Sequence, residues 1–300
     1  MKCFYHNDAD GKCAGFWVAL SAGITDLDKY SDQEFVEMDY NKSFPIDSIR
    51  ENEQIYIVDF SISPDEMRQL LQITKDVTWI DHHKTAIERY SNFEYDIRGV
   101  RYDGIAGCML TYCYLHHMSG RGTEEIKPFD LSMVDDAPIF TKLIADWDVW
   151  KFEYGDDTRH FITAFNSIDF HPQSNEWDKF LCFPDSMFNS AVSEMIIMGA
   201  TMITYRDGWA RDVCKSKGFA VEFEGHRCFA LNLPNCNSEY FNSINDGTYD
   251  ILIPFSFNGE KWTYSLYSNI IDVSEIAKKY GGGGHAGASG FVLDELILRK

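Results

Sequence analysis

The chain has few basic residues for its size: 27 Lys and Arg stand against 47 Asp and Glu, a formal net charge of −20 at pH 7. That balance argues against a broad electrostatic grip on long nucleic acid, which needs basic grooves to displace counterions. No stretch of 18 apolar residues occurs, so no membrane-spanning helix is expected and no membrane partner. Eight cysteines, at 3, 13, 108, 113, 182, 214, 228 and 236, form no C-x-x-C pair and no zinc-type spacing. They read as small apolar fillers with reduced thiols. There is no internal repeat, and no low-complexity stretch beyond the four glycines at 281–284. The first six residues enter a strand and a polar cluster directly, which leaves no room for a charged region and an apolar leader. A soluble, cytoplasmic protein is expected.

What is present suits two packed domains: 300 residues, 45% of them hydrophobic and 15% aromatic. The first half alternates strand and helix. Apolar runs at 2–5, 35–38, 55–59 and 77–80 read as strands, and a helix is expected over 12–23, where Phe16, Val18, Ala19 and Leu20 suit burial. Ser63-Pro64-Asp65-Glu66 opens another helix, with Ser as N-cap, Pro at the first helical position and Glu at the third. A short helix follows Lys84, and a strongly apolar one spans 104–118. Such alternation predicts an α/β fold with a mainly parallel sheet covered by helices on both faces. His116 and His117, at the end of the 104–118 helix, diverge by about 100° and do not share an ion easily; favourable charge near a helix C-terminus accounts for them.

The polar residues that matter stand at strand ends. Val77 to Ile80 runs into Asp81-His82-His83, Phe4-Tyr5 into His6-Asn7-Asp8-Ala9-Asp10, and Ile55 to Val58 into Asp59. Open α/β sheets gather ligands at that rim. Two divalent cations about 3.5–4 Å apart need a bridging carboxylate with His and Asp on either side, and these clusters supply that set. His6, Asp8 and Asp10 alternate along what reads as an extended segment, so their side chains are expected on one side. Asp59, alone at its strand end, is the natural bridge; His82 completes a second ion's set, and His83 is left to face substrate.

The second half begins with one long helix over 186–217, proline-free, whose Met195, Met198 and Met202 lie at helical spacing and bury a face. It joins a catalytic domain, 1–185, to a smaller α/β domain, 218–300. Alternating patterns at 219–223, 228–231, 251–257 and 262–266 predict a small sheet, and 274–280 a helix stopped by glycines. Gly281 serves as an ordinary helix C-cap, but Gly282, Gly283 and Gly284 then precede His285, a backbone able to approach phosphate or ribose as an anion nest with His285 as a directed donor.

These residues resemble the DHH phosphoesterase family, named for its Asp-His-His tripeptide. The likeness covers nearly the whole chain, because Gly281-Gly282-Gly283-Gly284-His285-Ala286-Gly287-Ala288-Ser289-Gly290-Phe291 is similar to the glycine-rich motif of the domain following the DHH domain in the oligoribonuclease, nano-RNase-like branch. The resemblance implies that His6, Asp8 and Asp59 hold one metal and Asp10, Asp59 and His82 the other. A fourth motif contributes a further Asp to the second metal, for which Asp146 is preferred over Asp148 because it follows the apolar run 142–145 directly. Asp81 is expected to orient a histidine from behind, and His83 to donate to phosphate or the leaving oxygen.

The implied activity is two-metal, in-line attack of hydroxide on a phosphodiester, as an exonuclease on very short RNA. Mixed His and carboxylate ligands favour Mn2+, with Mg2+ or Co2+ as alternatives. Near alternatives are hydrolysis of 3′-phosphoadenosine 5′-phosphate and of linear or cyclic dinucleotides. A type-II pyrophosphatase lacks the glycine-rich histidine loop, a RecJ-like nuclease would carry further domains, and a non-catalytic nucleotide sensor has no need of six metal ligands. The partners expected are short RNA or a small nucleotide and, as a homodimer, a second copy of the chain. One departure stands out: where this branch commonly has Ser-Leu-Arg-Ser, whose Arg approaches phosphate, the chain has Ser265-Leu266-Tyr267-Ser268. Tyrosine stacks on a base or donates one hydrogen bond but offers no charged fork.

Overall fold

Four short apolar strands form the first sheet: β1 (Lys2–His6), β2 (Phe35–Met38), β3 (Ile55–Val58) and β4 (Val77–Ile80). All pair in parallel in the order β2-β1-β3-β4. This computed structural model describes residues 1–24, 35–119, 131–181 and 190–298, with the side chains of 117–119 and 131–132 outside the description. Successive strand residues alternate between faces. Cys3 and Tyr5 join a core with α1 (Ala9–Ser21), while Phe4 and Trp79 pack with Met67 and Leu70 of α2 (Pro64–Ile73). Both faces are therefore covered, as a parallel sheet requires.

The remaining helices of this unit are α3 (Lys84–Arg89), α4 (Gly107–Ser119), α5 (Ile139–Asp148), α6 (Asp156–Phe165) and α7 (Asp178–Leu181). α2 begins with the expected box: Ser63 accepts from the Glu66 backbone, and the Glu66 carboxylate accepts from Ser63 N at 2.8 Å. α1 begins at Ala9, three residues before the sequence placed it, because the Asp8 side chain accepts from Gly11 N at 2.9 Å and caps the helix. That corrects the extended reading of residues 6–10. His6 ends a strand, Asp8 is an N-cap and Asp10 lies in a first helical turn.

The His116 side chain is exposed in the last turn of α4, and its ring also packs 4.2 Å from that of Tyr112 and 5.9 Å from that of Trp17, a contact the sequence did not show. The His117 side chain lies outside the described residues.

Contacts divide the chain into Met1–Ala200 and Thr201–Lys300. α8 (Ser190–Lys217), 28 residues long, runs across that division; its expected onset at 186–189, like Cys182, lies outside the described residues. The second sheet is mixed, in the order β5-β6-β7-β8-β10-β9: β5 (Phe219–Phe223), β6 (His226–Asn232), β7 (Ile251–Phe257), β8 (Trp262–Tyr267), β9 (Gly283–His285) and β10 (Ala288–Leu293). Only β6 and β7 pair in parallel. On one face Val273, Ile276 and Ala277 of α9 (Val273–Lys279) pack with Phe255, Tyr264 and Leu266; on the other, Phe229, Leu231 and Leu252 pack with Cys214 of α8 and with Phe241. The seven described cysteines are all free and buried. Among the described residues no helix is long and apolar enough to cross a membrane.

Candidate metal centre

The connections from β1 and β3 leave to opposite sides of the first sheet, which makes the crevice beyond their C-terminal ends a topological switch point. The polar strand ends meet there. His6 Nδ1 lies 2.6 Å from Asp8 Oδ2 and 3.9 Å from Asp59 Oδ2. On the other side His82 Nε2 lies 3.1 Å from Asp59 Oδ1, 3.4 Å from Asp148 Oδ2 and 3.7 Å from Asp10 Oδ2. Three groups of ligand atoms close enough to share one ion form here among the described residues, His6–Asp8–Asp59, Asp10–His82–Asp148 and Asp59–Asp81–His82–His83, the last including the Asp81 that holds His83. Asp59 faces the first two.

Each side chain is set by a local device. Asp10 is 2% exposed and accepts from the backbone of Gly107 at 2.7 Å and Cys108 at 2.9 Å, so the free N–H groups that open α4 aim its carboxylate. A Cβ on Gly107 would lie 2.6 Å from Asp59 Cβ and 3.0 Å from Asp10 Oδ2, so only glycine lets α4 start this close. Asp59 adopts a positive φ of 51° while its N–H still donates to Ile80 at 2.9 Å. That sharp exit from β3 is strained for a residue with a Cβ and is typical of a working site. Asp81 is fully buried and accepts from the Ser61 hydroxyl, from the backbone of His82 at 2.7 Å and of His83 at 3.3 Å, and from His83 Nδ1 at 2.7 Å.

Asp146, preferred from sequence as the fourth-motif ligand, is not the carboxylate that joins the cluster; Asp148 is. The Asp146 carboxylate accepts from the backbone of Glu153 at 2.9 Å and Tyr154 at 3.3 Å and from the Thr158 hydroxyl, which ties the end of α5 to α6. Asp148 is the one whose oxygen reaches His82. Sequence reasoning also missed Tyr40. Its ring packs 4.9 Å from that of Phe60, 5.5 Å from His6 and 6.1 Å from His83; the residue is 56% exposed, and partial desolvation of its phenol with the Asp81 and Asp59 charges nearby raises its pKa. Nothing in the residues around 40 signals that position.

The electrostatics ask for a cation. Among the described residues, both oxygens of Asp59 and Oδ2 of Asp148 are buried with no hydrogen-bond partner. Native proteins rarely leave such groups unpaired. Burial, then the neighbouring Asp10 and Asp8, push Asp148 up to about 9, and burial with the same neighbours and Asp148 raises Asp59 well above the ordinary carboxylate range. Burial is the largest single influence on Asp8 and Asp81 and works against them as anions. The hydrogen bond and charge of His6 with the Gly11 N–H on Asp8, and of His83 with the Ser61 hydroxyl on Asp81, together outweigh it and lower both. The same imidazole–carboxylate bonds raise His6 and His83. Carboxylate oxygens and imidazole nitrogens converging on orphaned buried anions fit a divalent metal site.

The glycine-rich segment is less like a free nest than its sequence implies. Gly283 to His285 form β9 and pair with Ala288 to Gly290 of β10, and a Cβ on Gly282 would lie 2.1 Å from the Gly290 carbonyl oxygen. Close packing accounts for Gly282. Gly283 has open space around it, and it and His285 are exposed.

No family model matches the chain. It is 26% identical over 258 residues to the uncharacterized protein R106 of Acanthamoeba polyphaga mimivirus, covering 82% of this chain and 54% of that one. It is 23% identical over 312 residues to the oligoribonuclease NrnB of Bacillus subtilis, covering 96% of this chain and 71% of that one. The chain therefore spans about half of the first relative's length. Among solved structures it is similar to the DHH domain of a member of the s1p family of ribosomal proteins, with a TM-score of 0.54, 14% identity, and 97% and 82% of the two chains covered. The fold is that of this DHH domain. The Asp81-His82-His83 tripeptide lies at the rim of its parallel sheet.

Proposed function

We propose that the chain is a metal-dependent phosphodiesterase that hydrolyses short oligoribonucleotides. The observation that carries the reading is the Asp59 carboxylate, buried and unpartnered between the His6–Asp8 pair and the Asp10–His82–Asp148 group. His6, Asp8 and Asp59 would hold one divalent ion, and Asp10, Asp59, His82 and Asp148 the other, with Mn2+ favoured by the mixed nitrogen and oxygen donors. Such ions supply a nucleophile at neutral pH and neutralise charge at the phosphoryl group. Asp81 engages Nδ1 of His83 and so fixes that ring, leaving its other nitrogen to donate to phosphate or the departing oxygen. The 23% identity with an oligoribonuclease supports the substrate class, and the charge of −20 agrees with short rather than long chains. Gly283 and His285, exposed in the second unit, remain the proposed contacts to the substrate backbone.

The test is hydrolysis of labelled RNAs of two to five nucleotides with Mn2+, beside 3′-phosphoadenosine 5′-phosphate and a cyclic dinucleotide. Release of mononucleotides from the short RNAs is expected. Cleavage of the bisphosphate or the cyclic compound with the RNAs left intact overturns the RNase reading.

A further inference from the structure

The second unit holds a pocket beside the Ser265-Leu266-Tyr267-Ser268 segment. Tyr264, Leu266 and Phe255 point into the core under α9, so the intervening residues of β7 and β8 present the opposite face. There Pro254 and Ser256 stand beside Thr263, Ser265 and Tyr267, and with the loop 233–237 they line a pocket of about 500 Å3. That size is ordinary for a small-molecule site. The pairing of β7 with β8 includes Leu252↔Tyr267 and resumes at Phe255↔Tyr264, and Pro254, which has no N–H, sits in the gap. Proline inside a central strand sacrifices a ladder hydrogen bond and is normally confined to edges and bulges.

The chemistry of the lining is unusual for this molecule. In a chain with 47 acidic and 27 basic residues, no charged side chain among the described residues borders the pocket. It offers hydroxyls from Ser256, Thr263 and Ser265, the amide of Asn235, the NH2 groups of Asn237 and Asn258, whose oxygens already accept from Glu239 N and from Glu260 and Lys261 N, and the half-buried phenol of Tyr267. A phosphate would meet no cation here. A planar heteroaromatic ring with donors and acceptors on its edge would meet both a ring to stack on and amides to read that edge. Tyr267 also stands where the resembled branch has its phosphate-directed Arg, so the position has exchanged a permanent charge for a π-face.

We propose that this pocket binds a nucleobase and that Tyr267 is its specificity-determining residue. The proposal deepens, and rests on, the reading of the substrate as a short nucleotide chain. Burial raises the Tyr267 phenol and the Ser265 hydroxyl works against that, so the ring meets a base as a neutral donor.

The experiment is saturation-transfer NMR on the full-length, metal-free protein, titrated with adenosine, guanosine, cytidine and uridine and, separately, with inorganic phosphate and ribose 5-phosphate. At least one nucleoside is expected to bind, without competition from either phosphate compound. Tyr267→Ala should weaken binding about tenfold or more, the scale of one lost base-stacking contact. Ser265→Trp, which fills the pocket from the exposed face, should do the same with an unchanged melting temperature, and it carries the test if the alanine variant fails to fold. Binding that is equal in Ser265→Trp, absent for all nucleosides, or displaced by ribose 5-phosphate overturns the proposal. No turnover and no metal enter the readout. Nucleoside binding at Tyr267 in a protein that cleaves no RNA would sink the proposed activity alone, and RNA cleavage without nucleoside binding would sink the pocket alone.

Discussion

The Asp59 carboxylate approaches Nε2 of His82 to 3.1 Å. One residue leaves β3 and the other follows β4, and the parallel pairing of those strands in register brings their ends level. Close as that nitrogen is, neither Asp59 oxygen has a well-formed hydrogen bond among the described residues, which leaves a buried carboxylate suited to a cation.

Replacing Asp59 by Asn should abolish hydrolysis and lower divalent-ion affinity by about 100-fold or more, beyond the range expected for outer-shell partners. The same change removes a buried, repelled charge, so the metal-free variant should melt several degrees above the wild type at pH 8. Calorimetry with and without Mn2+ checks both. A variant that loses activity and melts lower would make Asp59 a structural residue.

Metal-free stability should depend on pH in a stated direction. Asp59 and Asp148 hold protons more tightly in the folded state than in the unfolded chain, where carboxylates titrate near about 4. The folded state therefore binds the extra protons above that pH, and stability falls as pH rises through neutrality towards about 9, where Asp148 titrates. Thermal melts of chelator-treated protein at pH 5, 7 and 9 should descend, and descend less in Asp59→Asn. A flat profile, or one equally steep in the variant, contradicts this origin.

Asp146 and Asp148 should separate cleanly. Asp148→Asn should weaken metal binding and activity while leaving the melting temperature of the loaded protein within a few degrees. Asp146→Asn loosens the acceptor of two backbone N–H groups and the Thr158 hydroxyl, which should cost roughly 1–3 kcal/mol of stability with metal affinity retained. Urea denaturation beside Mn2+ titration distinguishes them. The reverse pattern would return Asp146 to the metal.

Gly107→Ala should act on the metal without replacing a ligand. Its new Cβ would sit 2.8 Å from Asp59 Oδ1 and 3.0 Å from Asp10 Oδ2, so both carboxylates or the start of α4 must move. Loss of metal affinity by about tenfold or more is expected, at the lower end of outer-shell effects. Unchanged affinity by titration would show that the crevice yields more easily than its packing indicates.

Much of this site was legible because apolar runs that end in His or Asp say where strands stop, and parallel α/β sheets collect strand ends on one rim. His6, Asp8, Asp10, Asp59 and His82 come together for that reason. Asp146 and Asp148 could not be ranked in the same way. Both lie in the last turn of α5, pointing about 200° apart. What decides between them is the chain turning back through positive φ at Trp150 and Phe152, which lays the Glu153 and Tyr154 N–H groups on Asp146. Those dihedrals leave no mark in residue type. The glycine run misled in a related way, since Gly282 answers to a close strand neighbour that sequence cannot show.

The most direct test of the paired-ion centre is anomalous diffraction from crystals of the protein grown with Mn2+. Two peaks are predicted, both within ligand distance of Asp59, one shared with His6 and Asp8 and the other with Asp10, His82 and Asp148. A single peak, none at all, or density beside Asp146 instead of Asp148 would contradict the account.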